Sequence, residues 1–218
     1  LELGVKNLKE YYTKFGFGKK TGIELPGEVA GVVNFKYKSE LANASFGQGI
    51  TTTPIQNLQA LSMIANDGIM LKPYIIDKIV DANGKVTLKN ERTELGQIVK
   101  KETTDKMKEL MYNVVYNGLS TAYKTDNVVL IGKTGTAQIA SEKGGYMTGK
   151  YDTIKSFAGM FPKDNPKYIV YFSVKQLVGS AGDMGTVLKK AIEEIAKYAK
   201  ITTVESDLDL SKIINVPN

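Results

Sequence analysis

The sequence predicts an α/β protein of the α+β kind, with an antiparallel sheet flanked by helices. Residues 156–161 and 168–174 alternate in polarity around a proline-bearing turn, as expected of an antiparallel strand pair. A long amphipathic segment over residues 184–199 follows, and residues 128–139 predict a further strand. A strand hairpin followed by a long amphipathic helix is typical of a layered structure. We therefore expect helices on the faces of the sheet.

Two further helices and a hairpin are predicted from local patterns. Residues 1–16 and 103–117 place apolar side chains at helical spacing. Asn83-Gly84 lies between the apolar segments 74–80 and 85–88, and this dipeptide is the strongest short hairpin signal in the sequence. The helices would supply the layer that covers the sheet.

A helix that begins after Thr53 has the clearest start in the chain. Thr53 is a suitable N-cap, Pro54 fits the first helical position, and Gln56 completes a capping box. Apolar residues at helical spacing give the helix a core-facing side, and Asn66-Asp67-Gly68 ends it. Before it, residues 44–53 form a glycine-rich loop.

The composition excludes several classes of chemistry. The 218 residues contain no cysteine and no histidine, so the chain itself offers no disulfide, thiolate nucleophile, imidazole base or usual zinc ligand. A Ser-His-Asp triad is excluded for the same reason. The net charge of +6 is spread along the chain, which does not indicate nucleic-acid binding. No apolar run approaches the roughly 18 residues that span a bilayer.

The strongest candidate site follows the predicted strand that begins at Val128. This strand runs into the segment Gly132–Thr136, which reads Gly-Lys-Thr-Gly-Thr. A cation, two hydroxyls and bare backbone along one strand edge suit an anionic, peptide-like ligand. Taken alone, Lys133 also fits a solvated lysine at a strand end. A nucleotide-binding P-loop is disfavoured, because Asn127 stands where that motif needs its first glycine.

Four blocks of sequence resemble the transpeptidase domain of penicillin-binding proteins, particularly the monofunctional, high-molecular-weight (class B) enzymes. They keep the family's order and cover most of the chain. The family carries S-x-x-K, S-D-N-type and K-T-G motifs, of which this sequence has the third. The blocks are Phe15-Gly16-Phe17-Gly18 with Thr21–Glu28, Phe46-Gly47-Gln48-Gly49-Ile50 with Thr53-Pro54-Ile55-Gln56, Ala65-Asn66-Asp67-Gly68, and Lys133-Thr134-Gly135-Thr136-Ala137-Gln138.

The resemblance implies a penicillin-binding protein/serine β-lactamase-like fold and assigns roles along the last block. Lys133 would stabilise negative charge and support the proton network. The hydroxyls of Thr134 and Thr136 would hold the carboxylate of a substrate peptide or β-lactam, and the Thr136 N–H would supply half of an oxyanion hole. Gly135 would leave room for the ligand to lie along the strand, and Gln138 would border the groove.

Gln48 and Gly49 belong to a loop that the resemblance places near the site. A turn that shapes the approach to the following helix is an equally good explanation for them. The implied activity is that of a serine-type peptidoglycan D,D-transpeptidase that β-lactams acylate, without cofactor or metal. The implied partners are stem peptides ending in D-Ala-D-Ala, β-lactams, the upstream half of the same domain and a membrane glycosyltransferase, with no nucleic acid.

The sequence departs from the family pattern at the nucleophile. No serine has a lysine three positions later, and Ser-x-Asn is absent. We therefore expect residues 1–200 to be the C-terminal part of a transpeptidase domain that is inactive alone. The serine and an N-terminal membrane anchor would lie outside the chain, with the domain on the extracytoplasmic face of the membrane. Residues 201–218 look like a linker, and Val216-Pro217-Asn218 resembles the opening of a PASTA domain.

Two other functions fit parts of the pattern. A non-catalytic penicillin-binding sensor or a pseudo-enzyme would keep the groove without the chemistry, and upstream sequence would distinguish it from an enzyme. A serine β-lactamase or D,D-carboxypeptidase shares the Lys-Thr-Gly motif. The blocks around Gly22 and Gly49, which resemble class B enzymes, disfavour that second alternative.

Overall fold

The computed structural model describes residues 3–201, which fold into helices packed on both faces of a sheet. Among these residues no helix is long and apolar enough to cross a membrane. The helices are α1 (Gly4–Lys14), α2 (Lys38–Ala44), α3 (Pro54–Ala65), α4 (Lys101–Tyr116) and α5 (Ala181–Tyr198), and a 3₁₀ turn spans Thr121–Tyr123. The strands are β1 (Ile69–Leu71), β2 (Lys78–Val80), β3 (Val86–Lys89), β4 (Glu94–Gln97), β5 (Ile131–Gln138), β6 (Thr153–Phe161) and β7 (Tyr168–Lys175).

The central sheet has three antiparallel strands in the order β5-β6-β7. Lys133 of β5 is opposite Ala158 of β6, which is opposite Tyr171 of β7. Within residues 3–201, β5 pairs with β6 alone, so its other edge is open. The predicted antiparallel sheet flanked by helices is confirmed.

The β5 strand begins three residues later than the sequence predicts. Val128 and Leu130 are fully buried, but they precede the hydrogen-bonded ladder, which starts at Ile131. Their side chains fill the core next to α5. The apolar pattern therefore reports burial correctly and places the start of the strand too early.

The two faces of the sheet carry separate cores. One face packs against α5, where Phe157 of β6 lies among Met184, Leu188 and Ile192. The other face packs against α3 and α4, through a cluster that contains Ile131 of β5. Burial on both faces fixes the position of β5, because strand residues alternate between the two cores.

The predicted apolar face of α5 is wider than its buried stripe. Val187 and Ile195 are 59% and 43% exposed, although the sequence places them on the core side. The buried residues recur every four positions and lie in one narrow row: Met184, Leu188, Ile192 and Ala196. One sheet face covers this single row, so the neighbouring apolar positions remain in solvent.

The start of α3 agrees with the sequence and does more than cap the helix. The Thr53 hydroxyl accepts the Gln56 N–H at 3.3 Å, and Gln56 Oε1 accepts the Thr53 N–H at 2.9 Å, as the capping box requires. Gln56 is also completely buried. Its amide nitrogen donates to the carbonyls of Lys19 and Ala30 at 2.6 and 2.7 Å, which ties the preceding irregular segment to the helix.

The hairpin around Asn83-Gly84 is confirmed, although its first strand is shorter than predicted and its second begins one residue later. Only residues 78–80 and 86–89 pair, and the Asp81 carboxylate accepts the N–H groups of Asn83 and Lys85, each at 2.9 Å. The sequence pattern did not predict α2, β1 and β4. These elements are only seven, three and four residues long, too short for periodicity to identify. The predicted linker lies outside the described residues, apart from residue 201.

Candidate functional site

The backbone of β5 presents alternate N–H groups to the open sheet edge. Just beyond the strand, Ile139 N donates to Asp152 O at 3.2 Å, so the backbone groups of Ile139 point toward the β6 side. Successive residues of a strand direct these groups to opposite sides. Those of Gln138, Thr136 and Thr134 therefore point away from β6, and the Thr136 N–H lies on the open edge.

The side chains of the Lys-Thr-Gly-Thr segment alternate between the two faces of the sheet along this edge strand. Lys133 and Gly135 share the face that packs on α3 and α4, while Thr134 and Thr136 share the face that packs on α5. The exposed Lys133 ammonium reaches over the edge and donates to Thr134 O at 2.7 Å. A positive charge thus stands beside the free N–H groups.

Two glycines of β5 lie against side chains of β6. At Gly132 an added Cβ would lie 2.2 Å from Cζ of Phe157, so the ring of Phe157 occupies the space of a side chain. At Gly135 a Cβ would lie 2.7 Å from the Ser156 hydroxyl, and Gly135 itself is exposed. Gly132 is therefore a packing requirement, and a side chain at Gly135 would also have to displace the Ser156 hydroxyl.

Ser120 is a neighbour of the site that the sequence analysis missed. Its hydroxyl lies 3.4 Å from the Thr134 hydroxyl, and Ser120 is 5% exposed. The contact exists because the 3₁₀ turn after α4 folds back over the sheet. No spacing relative to Lys133 could have identified it.

The loop that holds Gln48 and Gly49 abuts the connection between β5 and β6. Gly49 N donates to the Tyr146 hydroxyl at 3.1 Å, and Tyr146 forms an isolated bridge with Ala140, two residues beyond Gln138. The half-buried Gln48 is held by its own N–H, which donates to Asn43 O at 3.0 Å. The structure thus brings Gly49 to the end of β5, and contact of Gln48 with a ligand stays a prediction.

Positive φ angles support the alternative role of this loop as a turn. Gly47 and Gly49 have φ of 91° and 74°, in the left-handed region that side chains disfavour. At both positions a Cβ would meet nothing within 4 Å, so conformation and not space requires glycine. Shaping the turn and bordering the site are compatible roles.

Two lysines carry positive charge on β5 and on its neighbour β6. Lys155 is opposite Thr136 and shares its face of the sheet, which adds a second ammonium group to that of Lys133. The nearby Asp183 carboxylate is committed to the N-terminus of α5: hydrogen bonds from the Ser180 N–H and hydroxyl lower its pKa, and Lys155 lowers it further. Within residues 3–201 no group of three acidic side chains could hold a metal ion.

Comparison with known proteins places this geometry in a family. Residues 1–196 match the family described as the penicillin binding protein transpeptidase domain. The chain is similar to the stage V sporulation protein D of Bacillus subtilis, with 32% identity over 99% of this chain and 35% of the relative. It is also similar to a peptidoglycan D,D-transpeptidase FtsI homolog of Mesostigma viride, with 28% identity over 88% of this chain and 36% of the relative.

A solved structure gives the same result for the fold. Penicillin binding protein 2X from Streptococcus thermophilus superposes with a TM-score of 0.82 and 30% identity, covering 91% of this chain and 31% of that chain. The chain therefore spans roughly a third of the length of these similar proteins.

Proposed function

Because this chain belongs to the penicillin-binding protein transpeptidase domain family, we propose that it forms the carboxylate- and oxyanion-binding side of a peptidoglycan D,D-transpeptidase. The observation that carries the proposal is the open edge of β5, where the Lys133 ammonium lies on Thr134 O and, within the part of the chain that the structure describes, the Thr136 N–H has no partner strand. Thr134 and Thr136 share one face of the same strand. The curated relative from Mesostigma viride, named a D,D-transpeptidase, supports the same class of activity.

The chemistry follows from the shape of the ligand. A stem peptide ending in D-Ala-D-Ala has one terminal carboxylate and one scissile amide, and it can lie antiparallel to β5 as an added strand. The hydroxyls of Thr134 and Thr136 donate to the carboxylate. The Thr136 N–H donates to the carbonyl oxygen as it becomes an oxyanion, and one such donor contributes about 3 kcal/mol to acyl transfer.

A serine supplied from outside this chain attacks the carbonyl carbon. Its oxygen forms an ester with the penultimate D-alanine, the C–N bond breaks, and the terminal D-alanine leaves with a proton on its amine. Lys133 stabilises the anionic groups and supports the proton network during this step. The amine of a second stem peptide then displaces the serine, which completes the cross-link; a β-lactam instead leaves the serine acylated.

The upstream half of the domain is the partner that supplies the serine. The sequence contains no S-x-x-K, and the similar proteins are roughly three times longer. An apolar cavity of about 310 Å³ between α3, α4 and the sheet is lined in part by Leu61, Ala158 and Tyr171. Ala158 is opposite Lys133, so an upstream segment that covers this cavity would bring its residues to the Lys133 face of the sheet.

The same proposal extends to domain limits and location. Residues 1–200 form the C-terminal part of the transpeptidase domain. The resemblance of Val216-Pro217-Asn218 to the opening of a PASTA domain supports a linker role for the residues beyond 200. The domain works on the outer face of the bacterial cell membrane, beside a glycosyltransferase, and an anchor upstream of Leu1 holds it there. The name of the relative from Bacillus subtilis, a stage V sporulation protein, supports a role in sporulation.

Labelling with fluorescent penicillin tests the function. We expect no covalent label on this chain alone and a label on the upstream serine when the chain is co-produced with the upstream segment. Lys133→Ala should slow acylation of the complex by well over tenfold, since it removes the cation that stabilises the anionic groups of the site; loss of one oxyanion-hole donor in another acyl-transfer enzyme costs about 10²–10³. The labelling reaction is quenched at successive times, and the fluorescence of the protein band on a gel gives the rate of acylation.

Lys175→Ala is the matched control. Lys175 is an exposed lysine on the same face of the sheet as Lys133, two strands away on β7, and its removal should leave the rate unchanged. An unchanged rate in Lys133→Ala would reject the role of Lys133. A label on this chain itself would overturn the assignment, and no label in the complex would favour a non-catalytic pseudo-enzyme.

A further inference from the structure

We propose that Ser120 is a positioning residue, which sets the direction of the Thr134 hydroxyl and thereby strengthens binding of the ligand's carboxylate. The inference rests on the proposed function, because it assigns a fixed partner to the Thr134 hydroxyl that holds the carboxylate. It starts from a juxtaposition: Ser120 Oγ and Thr134 Oγ1 lie 3.4 Å apart, and Ser120 is almost completely buried.

The backbone of Ser120 is fixed on both sides. Its N–H donates to Val114 O at the end of α4, at 3.2 Å, and its carbonyl accepts the Tyr123 N–H at 3.0 Å. Ser120 therefore lies between the last turn of α4 and the 3₁₀ turn. It cannot move away from Thr134 unless one of these hydrogen bonds breaks.

The 3₁₀ turn packs on β6 at the residue opposite the motif. The Tyr123 ring stacks on Phe157, with centroids 4.4 Å apart and ring planes 9° apart, and Phe157 is opposite Thr134. Behind the turn, α5 approaches so closely that a Cβ at Gly185 would lie 2.7 Å from Ala122 O. The distance between Ser120 and Thr134 is therefore set by a packed cluster and not by a mobile loop.

Hydroxyl chemistry gives this contact a direction. A carboxylate only accepts hydrogen bonds, so Thr134 must turn its proton toward the ligand, which leaves its oxygen lone pairs to accept from Ser120. In the free protein either hydroxyl can donate to the other. When the ligand binds, the Ser120 hydroxyl donates to the Thr134 hydroxyl, which donates to the carboxylate. Hydrogen bonds linked in such a chain strengthen one another. Contacts of this kind also shorten when the ligand arrives.

The test compares two ligands that differ at the carboxylate. In the complex of this chain with its upstream segment, acylation rates are measured for benzylpenicillin and for its methyl ester. Ser120→Ala should lower the ratio of the two rates about fivefold, the effect of one lost hydrogen bond. Ser120→Thr, which restores a hydroxyl, should keep the ratio. Thr121→Ala, an exposed hydroxyl on the same turn, should also keep it.

A ratio that stays constant in Ser120→Ala would overturn the proposal, whether both rates fall together or neither changes. A second measurement does not need acylation. In a selectively labelled complex, the three-bond NMR couplings of the Thr134 methyl group report the rotamer of its side chain. In Ser120→Ala these couplings should change from the values of a single rotamer to values averaged over several rotamers, whereas in Thr121→Ala they should stay the same. Absence of labelling in the wild-type complex would reject the proposed function, and the couplings would still decide on Ser120.

Discussion

Gly132 shows that a motif glycine can be required by the core. The Phe157 ring of β6 occupies the space that a side chain at position 132 would need, because its Cζ would be 2.2 Å from an ideal Cβ. The backbone oxygen of Ala158, the next residue of β6, would be 2.7 Å from the same Cβ. The backbone of Gly132 itself has a conformation that alanine can adopt, since its φ is not in the left-handed region. Space alone therefore excludes a side chain here.

Gly132→Ala should accordingly lower the free energy of unfolding by about 1–3 kcal/mol, the cost of overpacking a core. The measurement is urea unfolding followed by circular dichroism. In a Phe157→Leu background the same substitution should cost less, because the shorter side chain leaves the ring position empty, and the two changes should not be additive. Additive effects would show that Phe157 is not the reason for glycine at this position.

At the scale of the element, short irregular segments are held by single polar side chains. Gln56 binds the segment before α3 through the carbonyls of Lys19 and Ala30. Glu28 does the same in the glycine-rich stretch, where its carboxylate accepts the Thr21 hydroxyl and N–H, both at 2.6 Å, and the Gly22 N–H at 3.1 Å. These contacts replace the backbone ladder that such segments lack.

The Glu28 contact makes stability depend on pH. The hydrogen bond from the Thr21 hydroxyl, with those from the two N–H groups, lowers the pKa of Glu28 in the folded state. A depressed folded pKa gives stability that is present above the unfolded value of about 4.3 and is lost as pH falls through the folded value. Glu28→Gln should therefore flatten the decrease in unfolding free energy below pH about 4.3. The measurement is urea unfolding over a pH series.

Glu142→Gln is the control for that series. Glu142 is an exposed carboxylate in the β5–β6 connection, and its replacement should leave the acid dependence as it is in the unmodified protein. If Glu28→Gln shows the same acid dependence as this control, the hydrogen bonds to Thr21 and Gly22 do not stabilise the folded state.

The elements that the sequence predicted are those with local signals. The α3 cap depends on residues three positions apart, and the Asn83-Gly84 hairpin on a single turn. By contrast, β1 pairs with β4 more than twenty residues away, and nothing in Ile69–Leu71 indicates that partner. The prediction that Val187 of α5 faces the core was wrong for a related reason. Helical spacing identifies a row of apolar residues but does not show which part of the protein covers that row.

At the scale of the molecule, the candidate site also combines local features that the sequence shows with distant contacts that it does not. The Lys-Thr-Gly-Thr segment could be read from sequence, since its chemistry lies in consecutive residues of β5. Ser120 could not, because its contact with Thr134 needs α4, the 3₁₀ turn and the sheet to be in place. The contact between Gly49 and Tyr146 joins residues 97 positions apart and was equally invisible. The candidate residues of β5 could be named from the sequence, whereas the contacts that hold Thr134 and Gly49 could not.

The hydrogen bond from Gly49 N to the Tyr146 hydroxyl links two distant parts of the chain at the end of β5. Tyr146→Phe removes the acceptor and keeps the ring, so the Gly49 amide should exchange with deuterium about fivefold faster, as expected for the loss of about 1 kcal/mol. The measurement is hydrogen exchange by mass spectrometry on peptides spanning residues 44–53. Tyr151→Phe is the control, since Tyr151 lies in the same connection with Lys150 over its ring. Equal exchange in the two variants would mean that Tyr146 does not hold the loop at Gly49.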